Sequence, residues 1–141
     1  MGCNIHGYLE TMTYPNSETQ KWWSVHQLPY TRSYLFYSAI AGVRNYINIT
    51  PISEPKGMPS DPSIMSEADC REDGRDGHSH SWLTAQEILN YDWRQRIETY
   101  EGKEELGTSI HPDFRSLINE MAFLSAIYGL DKVRIVFWFD N

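Results

Sequence analysis

Polar and apolar residues alternate along residues 3–12. Cys3, Ile5, Gly7 and Leu9 fall on one side of an extended chain, and Asn4, His6, Tyr8 and Glu10 on the other. A period of two marks a strand with one buried face. The far end of the chain repeats the pattern over Val133–Phe139. There Val133, Ile135, Phe137 and Phe139 share one face, and Arg134, Val136, Trp138 and Asp140 the other. The aromatic segment Trp22–Tyr30 reads as a further strand, and Pro15-Asn16-Ser17 as a turn.

Three stretches carry the helical period instead. Leu35, Phe36, Ala39, Ile40, Val43 and Ile47 predict a helix over residues 33–46 with Ser33 as its N-cap. Thr84-Ala85-Gln86-Glu87 is a capping box, which predicts a helix running on through Ile88, Leu89, Trp93 and Ile97. Pro112 opens a helix striped by Phe114, Leu117, Ile118, Met121, Leu124 and Tyr128, with Gly129 at the C′ position. Residues 48–80 are rich in proline and glycine and read as a long irregular loop with a short helix near Pro62–Asp69; residues 102–107 read as another loop. The predicted class is α+β: one domain over residues 1–141, a small and mostly antiparallel sheet, helices on one face, and the N- and C-terminal strands central. Pairing of those two strands would bring the His6 face against the Asp140 face.

Composition narrows the function. The 141 residues carry a net charge of −7, and such a field opposes long nucleic acid while leaving room for a small anion in a locally basic pocket. Aromatic residues make up 13%, enough for stacking surfaces as well as a core. Cys3 and Cys70 are the only cysteines and make no disulfide framework. The opening residues lack an apolar signal region and no run reaches membrane-spanning length, so the expectation is a cytoplasmic protein with free thiols and no membrane partner.

The densest chemistry is His78-Ser79-His80-Ser81-Trp82. In an extended chain His78, His80 and Trp82 project to the same side, where two imidazoles could act as acid and base. His6, beside Asn4, is the third candidate. His6, His78 and His80 therefore form the predicted catalytic set, with no cofactor required. The same three would be the ligands if zinc were bound, with Cys3 pointing the wrong way on its strand. Cys3 as a nucleophile competes with its simpler role as a small buried hydrophobe. Arg32, Arg44, Lys56 and Arg134 are candidate phosphate binders, with Lys56 on a possible lid between Pro55 and Gly57. Trp82 and Trp138 are candidate base-stacking platforms, and Asn4, Asp140 and Asn141 complete the predicted ligand-binding set.

Five ordered segments carry a resemblance: Met1-Gly2-Cys3-Asn4-Ile5-His6, Ala41-Gly42-Val43-Arg44-Asn45, Pro55-Lys56-Gly57-Met58-Pro59, His78-Ser79-His80-Ser81-Trp82-Leu83 and Phe137-Trp138-Phe139-Asp140-Asn141. Together they resemble a family of small phage-encoded proteins that open Met-Gly-Cys-Asp-Ile-His. Asn4 departs from that pattern, which weakens any role an aspartate would have in orienting a histidine or a metal there. The resemblance implies an anti-defence protein in the host cytoplasm. Three readings follow. The first is a histidine-based phosphodiesterase that cleaves a cyclic dinucleotide signal. The second is a non-catalytic, homo-oligomeric sponge for a cyclic ADP-ribose-type or cyclic dinucleotide signal. The third is a protein-binding inhibitor that uses the acidic patch from Glu67 to Asp76.

Overall fold

The computed structural model describes residues 2–12 and 20–141; the predicted turn at Pro15-Asn16-Ser17 lies outside them. Among the described residues six strands and five α-helices follow in the order β1 (Asn4–Thr11), β2 (Trp23–Gln27), α1 (Tyr34–Ala41), α2 (Ile64–Asp73), β3 (His78–Thr84), α3 (Ala85–Asn90), β4 (Arg96–Thr99), β5 (Gly102–Glu105), α4 (Leu106–Ser109), α5 (Pro112–Tyr128) and β6 (Val133–Asp140). A one-turn 3-10 helix, Gly74–Asp76, joins α2 to β3. The class is α+β. Four strands form one antiparallel sheet in the order β2-β1-β6-β3, with the first and last strands central, and β4-β5 is a separate hairpin.

The register of β1 against β6 sorts the side chains. Ile5 faces Phe139, Leu9 faces Ile135 and Thr11 faces Val133 on one side; Asn4 faces Asp140, His6 faces Trp138 and Glu10 faces Arg134 on the other. The apolar side forms a core with Phe36, Tyr37 and Ile40 of α1, Ile88 of α3, and Phe114, Leu117 and Met121 of α5. Phe36 and Phe114 stack with ring centroids 4.4 Å apart. Gly7 is required where the central strands meet: its φ is +140°, and a Cβ there would lie 1.9 Å from the Val136 carbonyl oxygen. The opposite face is not open either. Helix α2 lies over it, with Asp69 accepting from the Tyr8 hydroxyl, Ser66 donating to Glu10, and Asp73 accepting from the Trp138 indole.

Local signals set the element ends. Thr84 and Glu87 close a reciprocal capping box, and Ser63 caps α2 by accepting from the Ser66 amide at 3.3 Å. Helix α1 is shorter than its periodicity predicts. It stops at Gly42, which adopts φ 68°, and Val43 and Ile47 reach the core from the following loop. Ser33 holds the N-cap position, but its hydroxyl accepts from the His111 amide and so ties α1 to the start of α5. Helix α3 ends at Asn90, before Trp93 and Ile97, and Ile97 belongs to β4. The predicted loop at residues 102–107 is instead β5 and the start of α4.

Candidate functional site

Two polar regions meet at the end of the sheet where β1 begins and β6 ends. On the polar face, the His6 Nε2 lies 2.8 Å from Asp140 Oδ2, and its Nδ1 lies 3.8 Å from Asp73 Oδ2. The Asn4 amide donates to Asp140 Oδ1 at 3.2 Å and accepts from Arg32 Nε at 2.8 Å. Only one orientation of the Asn4 amide satisfies both neighbours, because a carboxylate only accepts and a guanidinium only donates. Burial opposes the charge on Asp140. The His6 hydrogen bond and charge, helped by the Asn4 amide, outweigh it and hold the carboxyl below the ordinary value.

The indole of Trp138 lies between the rings of His6 and His80, at centroid distances of 6.3 and 6.1 Å and nearly parallel to both. It is fully buried and donates to Asp73 at 2.6 Å, so the face that would stack on a base is already covered. His80 is held below the ordinary imidazole value by burial and by the neighbouring His78, with Asp73 opposing. Its ring nitrogens make no hydrogen bond among the described residues.

His78 does not join this group. The pairing of β3 with β6 slips between His78 and Ser81, and Ser79 adopts φ 56°. This bulge gives β3 an extra residue and turns His78 to the Phe139 side of the sheet. Its ring packs against Phe139 at 6.1 Å, and its Nε2 lies 3.2 Å from Asn141 Oδ1. The expected common side therefore holds for His80 and Trp82 only. Among the described residues no group of three His, Cys, Asp or Glu side chains is arranged to hold a metal ion. Cys3 is buried on the apolar side, and burial raises its thiol above the ordinary value, which argues against a nucleophile.

Two predicted phosphate binders are committed elsewhere. Arg134 is 3% exposed; it donates to Glu10 at 2.8 Å and to both the side chain and the carbonyl of Asp61, with its guanidinium 3.9 Å above the Trp22 ring. Lys56 bonds Glu87 at 2.8 and 3.0 Å and sits 3.9 Å above the Trp82 ring. Its segment is no lid: the Lys56 amide donates to the Ser81 hydroxyl and the Gly57 amide to the His80 carbonyl, which pins it to β3.

The other two arginines share a cleft. A cavity of about 510 Å³ is lined by Arg32, Tyr34, Leu35, Arg44, Tyr46 and His111, together with Ser33, Ser38, Ile47 and Ser109. Among the described residues no carboxylate belongs to this lining, although Glu104 and Asp113 contact its Ser109 and His111. Arg44 donates to the Tyr46 hydroxyl at 3.0 Å and lies 5.5 Å from the Tyr34 ring. Arg32 uses only its Nε, on Asn4; its Nη1 and Nη2 make no hydrogen bond among the described residues. The cleft's aromatic members, Tyr34 and Tyr46, and its imidazole, His111, carry no sequence motif and come together only through the α1 and α5 packing. A second cavity of about 320 Å³ lies beside His6, lined by Asp69, Glu72, Asp73, Trp138 and Tyr30 among others, and is acidic.

No protein-family model, no curated protein and no solved structure matches the chain. No helix among the described residues is long and apolar enough to cross a membrane.

Proposed function

We propose that the protein binds a small anionic aromatic ligand, a nucleotide, in the cleft between Arg32 and Arg44 and holds it without cleaving it. One observation carries this reading. Two guanidiniums, of which Arg32 has both Nη groups undonated, line a cleft with no carboxylate in its lining among the described residues, on a chain of net charge −7. Guanidinium forks suit phosphate oxygens, and the rings of Tyr34 and Tyr46 suit a base or ribose edge. The cavity size falls within the range of about 300–1,000 Å³ typical of small-molecule sites.

Together with the resemblance to small phage-encoded proteins, this supports reading the ligand as a nucleotide signal of host defence. It would be of the cyclic ADP-ribose or cyclic dinucleotide type, and the protein an oligomeric sponge in the host cytoplasm. Cleavage by His6 and His80 is the second reading. The 2.8 Å bond from Asp140 to His6 favours it, since a carboxylate so placed orients an imidazole for proton transfer. Against it, a phosphodiester at His6 would meet Asp140 and Asp73, both within 4 Å of the ring nitrogens.

The test incubates the purified protein with cyclic ADP-ribose and a panel of cyclic dinucleotides, then follows each by calorimetry and by chromatography before and after heat denaturation. A ligand that binds, is recovered intact on heating, and loses about tenfold or more in affinity in Arg32→Ala and Arg44→Ala is the expected result. New products abolished by His6→Ala and His80→Ala would replace it with the enzyme. Binding of none of the panel would overturn the nucleotide reading and move a protein partner to first place.

A further inference from the structure

We infer that Asn4, Asp140 and His6 are positioning residues for the nucleotide cleft, holding the Arg32 guanidinium by its Nε so that Nη1 and Nη2 are left to the ligand's phosphate. The inference rests on the reading just given and names how that site is built.

None of the three lines the cleft. They reach it as a relay: His6 Nε2 to Asp140 Oδ2 at 2.8 Å, Asp140 Oδ1 to the Asn4 amide at 3.2 Å, and Asn4 Oδ1 to Arg32 Nε at 2.8 Å. Each link fixes the next. The imidazole orients the carboxylate, the carboxylate dictates which way the Asn4 amide points, and that amide presents oxygen rather than nitrogen to the arginine. A second contact covers one face of the guanidinium. A Cβ built on Gly2 would lie 2.2 Å from Arg32 Nη1, 2.4 Å from its Cζ and 2.5 Å from its Nη2, so the bare backbone of Gly2 packs across the plane of the group and leaves its edge to a ligand. An arginine on a surface cleft otherwise loses rotamer freedom when it grips an anion. Here that ordering is in place before the ligand arrives.

The chemistry at position 4 is restrictive. Alanine would release the guanidinium. Aspartate would face the Asp140 carboxylate with no proton to donate and would neutralise Arg32 as a direct ion pair. Asparagine alone among these holds the cation without cancelling it.

The experiment measures calorimetric dissociation constants of cyclic ADP-ribose and cyclic diadenylate for wild type, Arg32→Ala, Asn4→Ala, Asn4→Asp, Asp140→Asn and the double variant Arg32→Ala/Asn4→Ala. In parallel, the Arg32 Nε–H resonance is followed by NMR without ligand. The expected result is about a tenfold loss for both Asn4 variants, a smaller loss for Asp140→Asn, and no added loss for Asn4→Ala once Arg32 is gone. The Arg32 Nε–H, protected from exchange in wild type, exchanges freely in Asn4→Ala. If Arg32→Ala loses binding while the Asn4 variants keep wild-type affinity, the relay is overturned and the cleft reading stands. Equal, additive losses in the double variant would show general damage rather than positioning and would also overturn it. If wild type binds neither nucleotide, the cleft reading falls and takes the relay with it.

Discussion

Arg134→Met tests whether Arg134 is a structural cation rather than a ligand group. The Glu10 and Arg134 side chains are 0% and 4% exposed and bonded at 2.8 Å, so the pair lies out of water. Methionine keeps the length of the apolar stem beside Trp22 but removes the cation. Glu10 Oε2 would retain the Ser63 amide at 3.0 Å and the Ser66 hydroxyl at 2.6 Å, while Oε1 would lose its arginine partner. Removing one partner of a buried pair costs about 3–5 kcal/mol, because the remaining charge is stranded. Asp61 adds little, since its side chain is 60% exposed. With a urea slope of about 2 kcal/mol/M, the unfolding midpoint should fall by about 1.5–2.5 M at unchanged slope. Glu10→Met together with Arg134→Met should recover only part of that loss: an apolar pair replaces the ionic one, but the buried Ser63 amide and Ser66 hydroxyl lose their Glu10 acceptor. A midpoint shift below about 0.5 M for the single variant would refute the argument. A lost nucleotide affinity at unchanged midpoint would return Arg134 to the ligand site.

Two further outcomes follow from the same geometry. Gly7→Ala should destabilise by about 3 kcal/mol or more, because its φ is +140° and the new methyl would lie 1.9 Å from the Val136 carbonyl oxygen; a thermal or urea midpoint within experimental error of wild type would contradict the close approach of β1 and β6. His26 links the edge strand β2 to α5, with Nδ1 2.8 Å from the Gln27 carbonyl and Nε2 2.7 Å from Glu120. Burial works against its protonation, but these two acceptors outweigh it and raise the imidazole above its ordinary 6.5. Because the folded value is the higher one, the stabilisation is complete below the unfolded value and is lost as pH rises through the folded value. The pair is surface-exposed and worth about 0.2–1 kcal/mol. His26→Gln should therefore lower the melting temperature at pH 5.5 and leave it unchanged at pH 9, and the opposite order would reject the assignment.

The sheet was the most legible part of the chain because its central strands bury one face completely. The alternation in residues 3–12 and 133–139 survives as β1 and β6, paired in register with the polar residues on a common face. Helix α5 was legible for the same reason, carrying its stripe from Pro112 to Tyr128. The failures share a cause: periodicity cannot register what a single residue's backbone does. Gly42 ends α1 while Val43 and Ile47 keep the apolar spacing. Ser79 takes a left-handed conformation that no glycine announces, and the bulge sends His78 and His80 to different faces. The hairpin β4-β5 is nearly all polar, with Ile97 its one buried residue, so no alternation existed to find. Candidate residues were legible as types but not as commitments. Arg134 and Lys56 read as free cations, yet each has a carboxylate partner distant in sequence.

Charge explains how an acidic chain can hold an anion, and why the ligand should be small. The carboxylates Asp69, Glu72 and Asp73 sit beside the His6 cavity, and among the described residues the lining of the Arg32–Arg44 cleft includes none. At physiological ionic strength charges act over about 8 Å, so an anion inside the cleft responds to the two guanidiniums and to Glu104 and Asp113, which contact Ser109 and His111 of the lining, and little to the distant surface charge. A long polyanion has no such shelter. It would extend past the cleft and meet the surplus negative charge of the remaining surface, at a cost for each phosphate outside. The same segregation separates the two readings of the polar cluster. His6 and His80 stand on the acidic side, which would repel a phosphate, and Arg32 lines the cleft where the proposed ligand would be held. The uncharged amide of Asn4 joins them, donating to the Asp140 carboxylate and accepting from the Arg32 guanidinium, so that the acidic face steadies the basic one without a direct ion pair.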